Sequence, residues 1–122
     1  MADITIKAAY ASLVEDEEEG FLFIGFAEGE AEDEPYILFR RALTGGPVWC
    51  EVNDESFGAE DGLALVLRSA KGLEIRVRPE AAAEFGFARE IAIRIGPDCE
   101  DAAPALEALR DMLGPVWAEA AA

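Results

Sequence analysis

Two segments in the second half of the chain place large apolar residues at every second position, with mostly charged residues between them. They are "LEIRVRP" (73–79) and "REIAIRIG" (89–96). Because successive side chains of a strand point to opposite faces, this period of two predicts two strands, each with one buried face. If the strands pair antiparallel, the acidic and basic side chains of their outer faces meet across the ladder. The apolar positions predicted to face the core are Leu73, Ile75, Val77, Ile91, Ile93 and Ile95.

Five other segments are predicted as strands, and they begin at residues 3, 21, 36, 49 and 62. The segment "FLFIGFAEG" (21–29) is apolar on both faces, which favours a central strand that is covered on both sides and bulged at Gly25. Residues 80–88 are predicted to form a helical turn or an irregular link. The strand segments are 3–14, 21–29, 36–43, the start of 49–63, 62–70, 73–79 and 89–96.

One helix is predicted near the end of the chain, within "PDCEDAAPALEALRDMLGP" (97–115). Its apolar stripe of Leu106, Leu109, Met112 and Leu113 is expected to pack on the sheet, and Gly114 is expected to end the helix. The predicted fold class is therefore α+β: an antiparallel β meander of about six to seven strands with one C-terminal α-helix packed on the sheet. We expect a single domain, 1–122, with its core in 3–114 and a tail at 115–122.

The chain is strongly acidic. It has 26 acidic and 10 basic residues, a net charge of −16. Residues 1–61 hold 16 acids and 3 bases, so their net charge is 3 − 16 = −13, and most of these acids lie in the predicted turns. Nucleic acid and anionic membranes would be repelled, whereas a basic protein or a cation would be attracted. Acidic composition without any partner is the plain alternative.

The cysteine content and the N-terminal segment predict a soluble cytoplasmic protein. Cys50 and Cys99 lack metal-type spacing, and they are expected to be reduced, partly buried thiols. No apolar run approaches the length that spans a membrane, and the first twenty residues lack a signal-peptide pattern.

The stretch "WCEVNDESFGAEDGL" (49–63) raises the question of a catalytic or metal site. The chain has no histidine, so the commonest general base and zinc ligand are both missing, and we predict no enzyme, cofactor or metal. An EF-hand loop that starts at Asn53 fails because Phe57 occupies the fifth position. A looser cation site, or a cation-dependent enzyme, stays open as an alternative; its ligands would be Glu51, Asp54, Glu60 and Asp61.

The structural interpretation of the same stretch is a strand end followed by a turn. Asn53, Asp54 and Ser56 are residue types that hydrogen-bond to nearby backbone in such turns. With Cys50 and Val52 buried, Glu51 and Asn53 are expected to point to solvent.

The stretch "WCEVNDES" through "GLALVLR", followed later by "EIAIRI" and "DAAPALEALRDML", resembles the bacterial immunity protein 10 family of polymorphic toxin systems. The element order is similar over roughly residues 20 to 114. Where the family pattern has a glutamine after Asn–Asp, this chain has Glu55. The resemblance implies a non-enzymatic inhibitor that protects its producer from a cognate toxin, with Trp49, Glu51, Asn53 and Asp54 at the matching positions.

The leading hypothesis is therefore a protein-binding inhibitor, an immunity protein whose acidic turns cover a basic toxin, for which a nuclease is one candidate. A small acidic secretion chaperone, which would be a homodimer with an apolar groove, is the alternative, and monomer or homodimer stays open. The residues predicted to bind the partner are Glu15, Asp16, Glu17, Glu18, Trp49, Glu51, Asn53, Asp54, Glu55, Glu60 and Asp61.

Overall fold

The computed structural model describes residues 2–31 and 33–120, and all of its strands belong to one sheet. A 3₁₀ helix spans Pro79–Phe85, and a short 3₁₀ turn spans Gly114–Val116. The regular elements are β1 (Ile4–Asp16), β2 (Phe21–Ala27), β3 (Tyr36–Ala42), β4 (Trp49–Val52), β5 (Asp54–Glu60), β6 (Leu63–Ser69), β7 (Gly72–Val77), β8 (Glu90–Glu100), α1 (Ala102–Leu113) and β9 (Trp117–Glu119).

The strands lie in the order β5-β4-β3-β2-β1-β8-β7-β6-β9. Neighbours pair antiparallel except β1 with β8 and β6 with β9, which pair parallel. The α+β class, the mostly antiparallel sheet and the C-terminal helix are thus confirmed. A single sequential meander is wrong, because two antiparallel meanders, β1–β5 and β6–β8, are joined through the parallel pair of β1 and β8.

The predicted count of six to seven strands is also wrong, because the sheet has nine strands within residues 2–31 and 33–120. The segment of β5 was predicted as a turn: it is an edge strand with five of its seven residues exposed, so its sequence carries no apolar alternation. β9 has only three residues and forms where the predicted tail pairs with β6. β8 extends through Pro97 to Glu100, so α1 begins five residues later than the segment predicted for it.

The sheet has to curl, because only Asp61 and Gly62 connect β5 to β6. In a flat sheet these strands would stand seven steps apart, about 34 Å at about 4.8 Å per step. The link spans at most about 11 Å, three Cα–Cα steps of about 3.8 Å. Backbone bonds hold it on both sides: Asp61 N–H donates to Val48 O at 2.9 Å, and Arg78 N–H donates to Gly62 O at 2.8 Å.

The core lies inside this curl, between the sheet and α1. Ile24, Phe26, Ile37 and Phe39 are fully buried on the inner side of β2 and β3. The predicted helix stripe is confirmed, since Leu106, Leu109, Met112 and Leu113 are all buried in the same cluster. The Arg41 guanidinium of β3 donates to Met112 O at 3.2 Å and fixes the end of the helix against the sheet.

The predicted charge pairs between the two alternating strands are confirmed. β7 and β8 pair antiparallel with Arg76 opposite Glu90. Arg94 Nη1 lies 2.7 Å from Glu74 Oε1, and Arg76 Nε lies 3.9 Å from Glu90 Oε1. All four side chains are at least one-third exposed, so each pair adds little to stability.

Candidate partner-binding surface

The outer face of β1–β5, which we define as the side turned away from α1, is rich in aromatic residues. Strand alternation places residues 21, 23 and 25 of β2 on this face, because Ile24 and Phe26 point into the core. The strand registers then align one row of side chains across all five strands. That row consists of Val14, Phe23, Arg40, Trp49 and Glu60.

Arg40 is held at the centre of this row by two aromatic rings. Its guanidinium carbon lies 5.2 Å from the centre of the Phe21 ring and 5.4 Å from that of Trp49. The Phe21 and Phe23 rings contact each other at 6.1 Å between centroids. Cation–π contacts of this kind favour a fixed guanidinium position. The helix α1 packs on the opposite face of the sheet and does not cover these rings. The rings are therefore partly exposed, and Val14 is 51% exposed.

Glu51 lies in the next row of the outer face and is buried, with 7% of its surface exposed. Its Oε1 accepts the indole N–H of Trp49 at 2.8 Å, and its Oε2 accepts the Tyr36 hydroxyl at 2.5 Å. Burial and this bond to Glu51 raise the pKa of Tyr36 above its usual value. The expectation that Glu51 points to solvent is wrong, because the two aromatic neighbours cover the carboxylate.

The predicted turn residues have structural roles. Asn53 adopts a left-handed backbone (φ 65°), and its Oδ1 accepts Tyr36 N–H at 2.9 Å. Asp54 accepts the Ser56 hydroxyl and backbone N–H, and these bonds lower the pKa of Asp54. Asp61 Oδ1 accepts Val48 N–H at 3.1 Å, which closes the link between β5 and β6.

The predicted acidic residues fall into two groups at opposite ends of β2. Glu15–Glu18 lie at the end where β2 begins, and Glu60 and Asp61 lie at the same end, because Glu60 pairs with Trp49. We call it the turn end. Asn53–Glu55 lie at the other end, the loop end, beside the loop of residues 28–35. The seven residues of β2 separate the ends by about 23 Å, at about 3.3 Å per residue.

These acids are not arranged around a cation. Among residues 2–31 and 33–120, no group of three or more Asp, Glu or Cys side chains is placed to hold a metal ion. Glu51 and Asp54 lie in separate hydrogen-bond networks, and Asp61 is bound to the β3–β4 loop. Their carboxylates therefore stabilise turns and aromatic side chains.

Sequence reasoning missed the aromatic part of this surface, namely Phe21, Phe23 and Arg40. The signal was present in "FLFIGFAEG", which is apolar on both faces. It was interpreted as a strand covered on both sides, but β2 is covered by α1 on one side only. The bulge predicted at Gly25 is also absent, since the register of β2 with β1 and β3 is regular there.

The two thiols are free, as expected: Cys50 is fully buried and Cys99 is half-buried. Burial raises the pKa of the Cys50 thiol. Within the described part of the chain, no helix has the length and apolar character needed to cross a membrane.

Comparison with known proteins gave no match: no family model, curated protein or solved structure is similar to this chain. The resemblance of "WCEVNDES" to the immunity protein 10 family receives no support from these comparisons and stays a prediction.

Proposed function

We propose that this protein is a non-enzymatic inhibitor that binds a basic protein through the outer face of β1–β5. The observation that carries the proposal is the uncovered aromatic row around Arg40, on a sheet face that has acidic residues at both ends of its strands. Protein interfaces have this anatomy, with aromatic residues and arginine at the centre and a polar rim. Assignment to the immunity class rests on the sequence resemblance alone.

The charge of the chain supports a basic partner. A net charge of −16 steers a positively charged surface into encounter and raises the association rate at low salt. Glu15, Glu17 and Glu18 are exposed at the turn end, and Glu55 is exposed at the loop end. They would form the rim, whereas Trp49 and Arg40 would contact the centre of the partner's surface.

The first test is capture of the partner by the tagged protein from lysate of the source organism, loaded at low salt and eluted in rising salt. The proposal expects one stoichiometric basic protein, whose toxic activity is suppressed in the complex. Val14→Asp together with Phe23→Ser should abolish capture. The control Thr5→Asp, on β1 beside β8, should leave capture unchanged, because Thr5 lies outside the aromatic row. Capture that is unchanged by the first pair would contradict the proposed surface.

The acidic rim has its own test. Replacing Glu15, Asp16, Glu17 and Glu18 by the corresponding amides should slow association and flatten its dependence on salt. The matched control neutralises four exposed acids that lie outside the proposed binding surface. They are Glu80, Glu84, Glu107 and Asp111. If both quadruple variants slow association equally, net charge alone steers the encounter and the turn end has no special role.

The uncovered face also favours a second candidate function, the secretion chaperone. The chaperone hypothesis predicts a stable homodimer. Light scattering gives the mass of the protein in solution and distinguishes monomer from dimer. A monomer that captures one folded basic protein supports the inhibitor, and a dimer that holds an unfolded effector segment supports the chaperone.

A further inference from the structure

A groove lies on the outer face above Gly25, where a row of side chains is interrupted. The row runs through Ser12, Gly25 and Leu38. A Cβ at position 25 would lie 2.9 Å from Ser12 Oγ and 3.7 Å from Leu38 Cδ1, so any side chain there would occupy the groove. The resulting cavity of about 360 Å³ extends from Ser12 to Glu30 in the loop after β2. Its size and open shape suit one extended side chain of a partner.

The lining of the groove combines apolar walls, aromatic residues and one acid. Ala27 and Leu38 supply apolar surface, and Tyr10 and Tyr36 contribute aromatic side chains. Glu30 is exposed, and among the described residues it takes part in no ion pair. No basic side chain of the described ranges lines the groove. The groove therefore presents a long apolar path that leads to a carboxylate.

We infer that this groove binds an arginine side chain of the basic partner, with the guanidinium at Glu30 and the methylene stem over Gly25 and Leu38. Arginine buries its stem against apolar surface while its charged end stays at the edge. Its planar guanidinium stacks on aromatic rings and pairs with a carboxylate through two hydrogen bonds. The inference deepens the proposed function, because the arginine belongs to the partner that the proposal requires.

The charge of the protein argues against other occupants. An anionic ligand would be repelled by Glu30 and by the net charge of −16. A second copy of the chain carries the same charge and would bring another acidic surface against the loop. An apolar side chain would gain no electrostatic attraction from the Glu30 carboxylate.

The direct test is a titration of the whole ¹⁵N-labelled protein with N-acetyl-arginine amide. Binding is monitored through the chemical shifts of the backbone amides. Saturable shifts are expected at Gly25, Ala27 and Leu38 in the millimolar range. Glu30→Gln should weaken binding about two- to fivefold, the contribution of one partly exposed ion pair. The matched control, Glu107→Gln on α1, should leave it unchanged. N-acetyl-norleucine amide, which lacks the charge, should bind less tightly.

Several outcomes would overturn the inference. The inference fails if the residues of the groove show no chemical-shift change with arginine amide. It also fails if norleucine amide binds as tightly as arginine amide, or if lysine amide binds more tightly than both. Gly25→Val and Ala27→Leu each fill the groove and should abolish the shifts. Position 25 lies outside the positive-φ region, and the tightest contact of an added Cβ is the movable Ser12 Oγ at 2.9 Å. If one variant fails to fold, the other provides the measurement, and Thr5→Leu is the control for an added apolar side chain on a distant part of the same sheet face.

The same variants separate this inference from the proposed function. If the wild-type protein captures a basic partner and the groove-filling variants capture it equally well, the groove inference fails while the inhibitor proposal stands. If the wild-type protein captures no basic partner, the inhibitor proposal fails, and the arginine titration still decides the chemistry of the groove.

Discussion

Trp49 donates its indole N–H to Glu51, two residues further along β4, at 2.8 Å. Both side chains point to the outer face, and Tyr36 of the neighbouring strand donates its hydroxyl to the same carboxylate. The bond fixes the indole that also contacts the guanidinium of Arg40. A buried acid thus holds the aromatic centre of the proposed binding surface in place, although the same acid was predicted to contact the partner directly.

Glu51→Ala should destabilise the fold by about 1–3 kcal/mol, because it removes the acceptor that the partly buried Tyr36 hydroxyl and Trp49 indole share. Glu51→Gln retains one acceptor oxygen and should cost less. Urea unfolding at neutral pH gives both values. Glu55→Ala, at an exposed site of β5, is the control and should stay within about 0.5 kcal/mol of wild type. Equal effects at positions 51 and 55 would contradict the network.

Asn53 combines a left-handed backbone with a side-chain bond to Tyr36 N–H, and two substitutions separate these roles. Asn53→Gly should cost about 1 kcal/mol, because glycine tolerates the positive φ and only the hydrogen bond is lost. Asn53→Ala should cost about 2–3 kcal/mol, because alanine keeps a Cβ in the left-handed region without the side-chain hydrogen bond that offsets this strain in asparagine. Equilibrium unfolding of the two variants tests the difference. If the Asn53→Ala and Asn53→Gly variants are equally stable, the backbone conformation at position 53 has no role in stability.

Asp3 should make the stability depend on pH at the acidic side. Its carboxylate accepts the N–H groups of Arg89 and Glu90, and these bonds lower the pKa of Asp3 below 3.8. A carboxylate whose pKa is lower in the folded state stabilises the protein above its unfolded pKa and loses this effect as the pH falls through the folded pKa. Asp3→Asn should therefore be less stable than wild type at pH 7, and the gap should close below pH 3.8.

Urea midpoints measured from neutral pH down to about pH 2.5 give this comparison. Asp111→Asn, at an exposed position of α1, is the control for the loss of one acid. A gap between wild type and Asp3→Asn that persists undiminished in acid would show that the carboxylate charge has no part in the bond.

The two thiols should differ in reactivity with a disulfide reagent such as dithionitrobenzoate. Cys99 is half-buried and should react slowly in the native protein. Cys50 is fully buried, burial raises its pKa, and it should react only after unfolding. Cys99→Ala should leave no thiol that reacts under native conditions. If both thiols react at the same rate in the folded protein, the burial of Cys50 in β4 is contradicted.

Much of the fold was predictable from local pattern. The alternating strands at 73–79 and 89–96 and the stripe of α1 were recognised because each buries one face, and burial of one face leaves a period in the sequence. β5 left no such period, because it is an exposed edge strand, and the three residues of β9 are too few to show one. The parallel pairing of β1 with β8 joins residues more than eighty positions apart, and no local pattern records it.

The candidate site divides in the same way. The sequence by itself determined that the chain is strongly acidic, that it lacks histidine, and that "WCEVNDES" ends a strand, because charge and turn chemistry are properties of the residues themselves. Only the tertiary structure decided that the acids separate to two ends, that Glu51 is buried, and that Phe21 and Trp49 enclose Arg40. Those relationships depend on strand register and on which face α1 covers, and both arise from packing between segments distant in the chain.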